Sequence, residues 1–278
     1  MGQVRHFIYH ALHKTGSQIT RKELRRYCDD RNLSCLFYQT CTPESPRYLE
    51  CAQRLSEKWE RNISRGSLTP KRMALCCPSL PNLDEVRFDA IGGHLQLNVE
   101  GAVEFLRAHS YPDSFRFTIL RDPVSQFISY FYYLKAQPEY LGPALANYTT
   151  VDDFLPVFNL KHPSPTELRL RQMMANLQAQ NLGWDGTNEG LENVLQYLDS
   201  LHFVGLYEQL NESWALLRGQ LHWPKQYLAA ELTDPRRSKG AKTRAALSNT
   251  SLAALRSIQW ADQRIYSRGL ELFELARV

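Results

Sequence analysis

The stretch that decides the fold is His13-Lys14-Thr15-Gly16-Ser17-Gln18-Ile19-Thr20, because of what stands on either side of it. Before it, residues 4–12 form an apolar run of strand character. After it, residues 19–28 carry the spacing of a helix. A strand that breaks at a glycine-containing loop and restarts as a helix offers a place for an anion. Gly16 lets the backbone come close. The helix start offers N–H groups and a partial positive charge. Lys14 adds a full charge, and Thr15, Ser17 and Thr20 add hydroxyls. Gln18 and Ile19 complete the first turn. A charged turn that merely precedes a helix has the same local pattern. The loop does not follow the G-x-x-x-x-G-K-S/T pattern, since its lysine precedes its only glycine. That counts against an ordinary ATPase or GTPase.

Working outward, the pattern repeats. Residues 115–120 (FRFTIL) read as a buried strand, closed by Arg121. Asp122 then suits an N-cap, with Pro123 at the first helical position. In the helix that follows, Val124, Phe127, Ile128, Phe131 and Leu134 share one face. Ser129 lies in its second turn and faces back towards the strand end. An arginine fork plus a hydroxyl can clasp a second phosphate. Arg121 could equally pair with Asp122 or another carboxylate. Tyr132 and Tyr133 are assigned to core packing in preference to a ligand wall. Further strands are expected over 86–91 and 202–207. Helices are expected over 99–109, from Leu210 through Trp214 and Leu217 to Leu221, and across the last 25 or so residues. Strands alternating with helices predict an α/β fold with a mainly parallel sheet flanked by helices, whose ligands bind at the carboxyl ends of the strands. His94 follows the expected strand and the pair Gly92-Gly93. It is therefore a candidate proton acceptor in the cleft, or a structural histidine of a turn.

Composition sets the limits. The 278 residues are 43% hydrophobic and 22% charged, with no Gly/Ser/Pro-rich linker, which predicts a single domain over 1–278. The net charge of +4 fits an anionic ligand and predicts no nucleic-acid partner. No run of about 18 apolar residues is present, and the N-terminal segment does not read as a signal peptide. All six cysteines (Cys28, Cys35, Cys41, Cys51, Cys76 and Cys77) fall in the first third, without zinc-site spacing. They are buried small hydrophobes or disulfide partners. Five N-x-S/T sequons, at Asn32, Asn62, Asn147, Asn211 and Asn249, exceed the roughly one or two expected by chance and suit a secretory lumen.

Taken together, strand–K-T-G-S–helix and strand–R-D-P-V–helix-with-Ser resemble the two halves of the 3′-phosphoadenosine 5′-phosphosulfate (PAPS) site of sulfotransferases. Narrower matches resemble the galactose 3-O-sulfotransferases, which include the galactosylceramide sulfotransferases. These are His13-Lys14-Thr15, Gly93-His94-Leu95-Gln96, Leu182-Gly183-Trp184-Asp185, Val204-Gly205-Leu206-Tyr207-Glu208 with Asn211-Glu212-Ser213, Leu247-Ser248, and Asp262 with Ile265-Tyr266. The resemblance runs from about residue 5 to 275 and is weakest over 36–85. Gly16, Gln18 and Gln96 depart from the family's usual residues, and the last of these stands where an arginine is usual.

The resemblance implies a P-loop NTPase-like sulfotransferase fold, PAPS as co-substrate, no metal, and a sugar acceptor. It points first to the 3-hydroxyl of a galactose in a glycolipid or glycan. The alternatives are another glycan position, a glycosaminoglycan, or a catalytically silent carbohydrate-binding relative. It implies His94 as base, with Lys14 and His13 beside it in catalysis. Lys14, Thr15, Gly16, Ser17, Gln18 and Ile19 would hold the 5′-phosphosulfate, and Arg121 and Ser129 the 3′-phosphate. Arg237, in the basic stretch 236–240, would cover the nucleotide from a late loop; a solvated charge run has the same composition. The family setting is the Golgi membrane. The chain shows no anchor of its own, so attachment would need one absent here, and a cytoplasmic setting stays open. Oligomeric state is not legible.

Overall fold

A computed structural model describes residues 4, 6–38, 87–94, 97, 102–137, 142–228 and 247–278. In chain order the elements are β1 (Phe7–His10), α1 (Ser17–Arg31), β2 (Cys35–Tyr38), β3 (Ala90–Gly93), α2 (Ala102–His109), β4 (Phe115–Leu120) and α3 (Pro123–Lys135). The short helices α4 (Gly142–Leu145) and α5 (Val151–Phe154) and a 3-10 turn (Leu155–Asn159) follow. Then come α6 (Pro165–Met174), α7 (Leu177–Asn181), α8 (Asn188–Asp199), β5 (Phe203–Leu206), α9 (Leu210–Gln220), α10 (Asn249–Ile258) and α11 (Trp260–Leu275).

The five strands form one sheet in the order β2-β3-β1-β4-β5, with every pairing parallel. This is the α/β architecture that the alternating pattern predicts. Parallel strands are covered on both faces, so they read as unbroken apolar runs. β1 and β5 are buried throughout, and so is the last part of β4. From β1 the chain runs out to the β2 edge, returns through β3, and crosses to β4 and β5. The strand order therefore reverses at β1. His10 pairs with Gly93 on one side and Thr118 on the other, and Leu120 pairs with Leu206. The residues that follow these ends leave the sheet along one edge: the 13–17 loop, His94, Arg121 and Tyr207.

Three elements differ from their expected form. β3 runs Ala90–Gly93, later than the expected 86–91. A glycine suits this inner strand, because a Cβ on Gly92 would lie 2.6 Å from the Phe37 ring. β1 is shorter than residues 4–12, since the Val4 N–H donates to the Leu221 carbonyl at the end of α9 and not to the sheet. The single terminal helix is two helices, α10 and α11, broken at Gln259 (φ −100°, ψ 29°).

α3 starts as its sequence dictates. The Asp122 side chain accepts from the Ser125 N–H, and Pro123 occupies the first turn; such a cap is worth about 1 kcal/mol. Val124, Phe127, Ile128, Phe131 and Leu134 are all buried, in a second apolar cluster shared with α5, α6 and Leu255. The sheet-centred cluster takes Leu210, Trp214, Leu217 and Leu221. Cys28 at the end of α1 and Cys35 at the start of β2 form a disulfide. The other four cysteines lie outside the described residues.

Candidate active site

The loop after β1 turns through two left-handed residues, Lys14 (φ 65°) and Gly16 (φ 79°). Glycine is needed at 16 for a second reason. A Cβ there would come within 3.0 Å of the Tyr207 ring. For Lys14 the conformation costs about 1–2 kcal/mol, and partners meet the groups it turns outward. Arg121 Nη1 donates to the Lys14 carbonyl at 2.8 Å. Gln126 Nε2 donates to the His13 carbonyl at 2.8 Å. Two loop acceptors are thereby engaged from the β4–α3 segment. α1 begins with Gly16 as N-cap, no side-chain cap, and no acidic residue in its first turn. That leaves the helix start without a built-in anion.

The hydroxyls do not all behave as the sequence suggests. Thr15 Oγ1 donates to the Leu12 carbonyl at 3.0 Å and is fully buried, so its proton serves the turn itself. Thr20 is buried beneath the loop beside Tyr9. Ser17 does face the cleft side, with Oγ 3.4 Å from His94 Nε2. Gln18 is exposed. Ile19 packs on the sheet core, and its N–H donates to the Gly16 carbonyl.

His94 stands directly after β3, buried, with its ring stacked on His13 at 4.1 Å and 4° between planes. Its Nδ1 lies 3.0 Å from the Ala11 carbonyl. A carbonyl only accepts, so the proton sits on Nδ1 and the lone pair on Nε2. Burial holds the His94 pKa well below 6.5, with His13 and the Arg21 guanidinium adding to the effect. Burial, then Lys14 and Arg21, takes His13 down to about 4. Both rings are therefore neutral at pH 7.

Arg121 leaves β4 with its guanidinium 4.4 Å above the Tyr207 ring, and Lys14 Nζ sits 4.4 Å from the centre of Tyr133. Tyr133 stacks on Tyr130, which in turn tilts against His13. Tyr132 and Tyr133 are 37% and 40% exposed, which overturns their assignment to core packing. The reason is helical phase: the apolar stripe of α3 faces away, and Gln126, Tyr130 and Tyr133 face the loop. Ser129, half-buried, falls on the same flank by that spacing.

His13, Lys14, Thr15, Gly16, Ser17, His94 and Arg121 thus gather at one sheet edge. Arg237 and Gln96 lie outside the described residues. Gln126 and Gln178 are missed by the sequence reading, which names Tyr207 and Tyr130 only as motif positions and gives them no role. Gln126 alone had a local signal, one turn after an N-cap beside Arg121. Among the described residues, no group of three or more His, Cys, Asp or Glu is arranged to hold a metal ion. No helix among them is long and apolar enough to cross a membrane.

Comparison with known proteins adds the family. A search of curated proteins finds no match. Among solved structures, a sulfotransferase from Alicyclobacillus acidocaldarius is similar at 13% identity, with 91% of this chain and 95% of that chain covered and a TM-score of 0.38. The model of the galactose-3-O-sulfotransferase family matches residues 3–270. With that match over nearly its whole length, the chain belongs to the galactose-3-O-sulfotransferase family and is a sulfotransferase.

Proposed function

We propose that this sulfotransferase, one domain over 1–278, uses PAPS as donor and transfers the sulfuryl group to a sugar hydroxyl, the 3-hydroxyl of a terminal galactose. The observation that carries the reading is the meeting of the two anion motifs. Arg121 donates to the carbonyl of Lys14 itself. That contact supports a single site in which the lysine loop takes a phosphosulfate and the arginine a second phosphate, with a neutral imidazole beside the loop.

The residues suit an in-line transfer. His94 Nε2 takes the proton of the acceptor hydroxyl as its oxygen forms the new bond to sulfur. The bond between sulfur and the bridging phosphate oxygen breaks, and adenosine 3′,5′-bisphosphate leaves. Lys14 and the open start of α1 offset the charge that grows on the leaving phosphate. Ser17, between the loop and His94, is placed to orient the sulfuryl oxygens, and His13 holds the His94 ring by stacking. Arg121 and Ser129 hold the 3′-phosphate, the group that separates PAPS from ATP and AMP.

A secretory setting, the Golgi lumen, fits the Cys28–Cys35 disulfide and the exposure of Asn32, Asn147, Asn211 and Asn249. Asn62 lies outside the described residues.

Calorimetry tests the donor site. Adenosine 3′,5′-bisphosphate should bind well and AMP poorly. Arg121→Ala should remove most of the difference, since a charge-assisted hydrogen bond is worth roughly 1.5–3 kcal/mol. Equal affinity for both nucleotides in the unmodified protein would sink the assignment.

A further inference from the structure

Four polar side chains (Asn176, Gln178, Gln259 and Asp262) are buried together where α7 meets α11. Burying so many polar groups costs more than an apolar packing of the same volume unless every group is bonded. Here the bonds are reciprocal. The Asp262 carboxylate accepts from the N–H groups of Gln178 (3.0 Å) and Ala179 (2.7 Å), the first turn of α7. Asn176 Oδ1 accepts from the N–H groups of Ala261 (2.9 Å) and Asp262 (3.2 Å), the first turn of α11. Gln259 closes the knot, accepting from the Asn176 N–H at 2.9 Å and donating to the Met174 carbonyl at 2.8 Å. Each helix start is capped by a side chain from the other, and neither can rotate alone.

One side chain reaches out of this knot. Gln178 Oε1 accepts from the Arg121 N–H at 2.9 Å, and Gln178 Nε2 donates to the Arg121 carbonyl at 2.8 Å. An amide that meets both backbone groups of one residue does what a neighbouring strand would do. It extends the ladder by one residue beyond β4, where β4 itself has ended. Arg121 is therefore held at its backbone by Gln178, at the guanidinium face by Tyr207, and at Nη1 by the Lys14 carbonyl.

We infer that Gln178 and Asp262 are positioning residues for the donor site: Asp262 orients the first turn of α7, Gln178 clamps the backbone of Arg121, and Arg121 sets both the second anion pocket and the Lys14 turn. The inference rests on the proposed role of Arg121 at the 3′-phosphate. A knot serving stability alone would not need the amide that leaves it.

Nucleotide selectivity is the readout, because a purely structural role would move the melting temperature and leave selectivity alone. Gln178→Met keeps the length and apolar volume and loses both bonds. It should weaken adenosine 3′,5′-bisphosphate by about tenfold and AMP by much less, so the ratio of the two affinities falls. Asp262→Asn should lower the ratio in the same direction by a smaller factor, and it decides the case if Gln178→Met does not fold. Combined with Arg121→Ala, the Gln178→Met change should cost no further selectivity, since both act through one side chain. If the unmodified protein shows no selectivity, both the donor-site reading and this inference fall. If it is selective and Arg121→Ala abolishes selectivity while the folded Gln178 or Asp262 variant keeps it in full, the positioning role alone is overturned.

Discussion

A lone pair on His94 Nε2 follows from a single contact, the Ala11 carbonyl opposite Nδ1. Burial then removes the competing proton by lowering the pKa. A base with a depressed pKa works at neutral pH and is lost only in acid. The rate under saturating donor should therefore be flat around pH 7 and fall well below 6.5, as His94 protonates. His94→Ala should cut turnover by about 10²–10⁴-fold and remove that acidic limb, while leaving nucleotide affinity nearly unchanged. Near-normal turnover in this variant would make His94 a turn residue and His13 the next candidate. Lys14→Ala should behave differently in the same assays, lowering turnover and donor affinity together, because in the proposed site its charge acts on bound and leaving phosphate alike. That Lys14, Arg121 and His94 come to one sheet edge was legible in the sequence, because each follows a strand end. Gln178 was not, because it reaches Arg121 from 57 positions away and nothing local marks it. Thr15 misled in the opposite direction: its hydroxyl reads as a ligand donor and is engaged by the turn.

The elements meet the site through their packing. α11 crosses the end of β4 at Gly269, where an added Cβ would run into the Leu120 side chain, next to Arg121. On propensity alone Gly269→Ala should help α11 by about 1 kcal/mol. Overlap with a fully buried leucine costs about 1–3 kcal/mol, so the net effect should be destabilising. Donor affinity should fall as well, because Leu120 and Arg121 are neighbours. Urea unfolding with nucleotide calorimetry would show this, and a stabilised variant with intact binding would contradict it. β4 and α3 were legible to the residue or nearly so, since an apolar run, an N-cap and a proline fall in sequence there. β3 was read too early because Gly92 and Gly93 look like a loop, yet on an inner strand a glycine makes room for the Phe37 ring. The break at Gln259 was hidden because its cause is a contact with Asn176 and Met174, 83 and 85 positions away.

At the scale of the whole molecule, two neutral histidines, His13 in the loop and His94 stacked on it, are kept unprotonated by folding. Their folded pKa values lie below the unfolded 6.5, so between these limits the unfolded chain binds more protons. Stability should consequently decline as pH falls from 7 towards 5. Asp262, raised to about 7 by burial, acts in the opposite sense over that range. Comparing the protein with a His13→Asn/His94→Asn variant cancels the Asp262 effect. The variant should lose less stability in urea between pH 7 and 5, and an equal loss would show that the histidines are not held neutral. The parallel sheet, the reversal of strand order at β1 and the gathering of His94, Lys14 and Arg121 at one edge support the transfer proposed above. The direct test is to supply PAPS labelled in its sulfuryl group together with a terminal β-galactoside, and to locate the label in the product. The account predicts label on the galactose 3-hydroxyl, one adenosine 3′,5′-bisphosphate released per transfer, and loss of both in His94→Ala. Release of labelled sulfate without transfer, or label on another hydroxyl of the sugar, would contradict it.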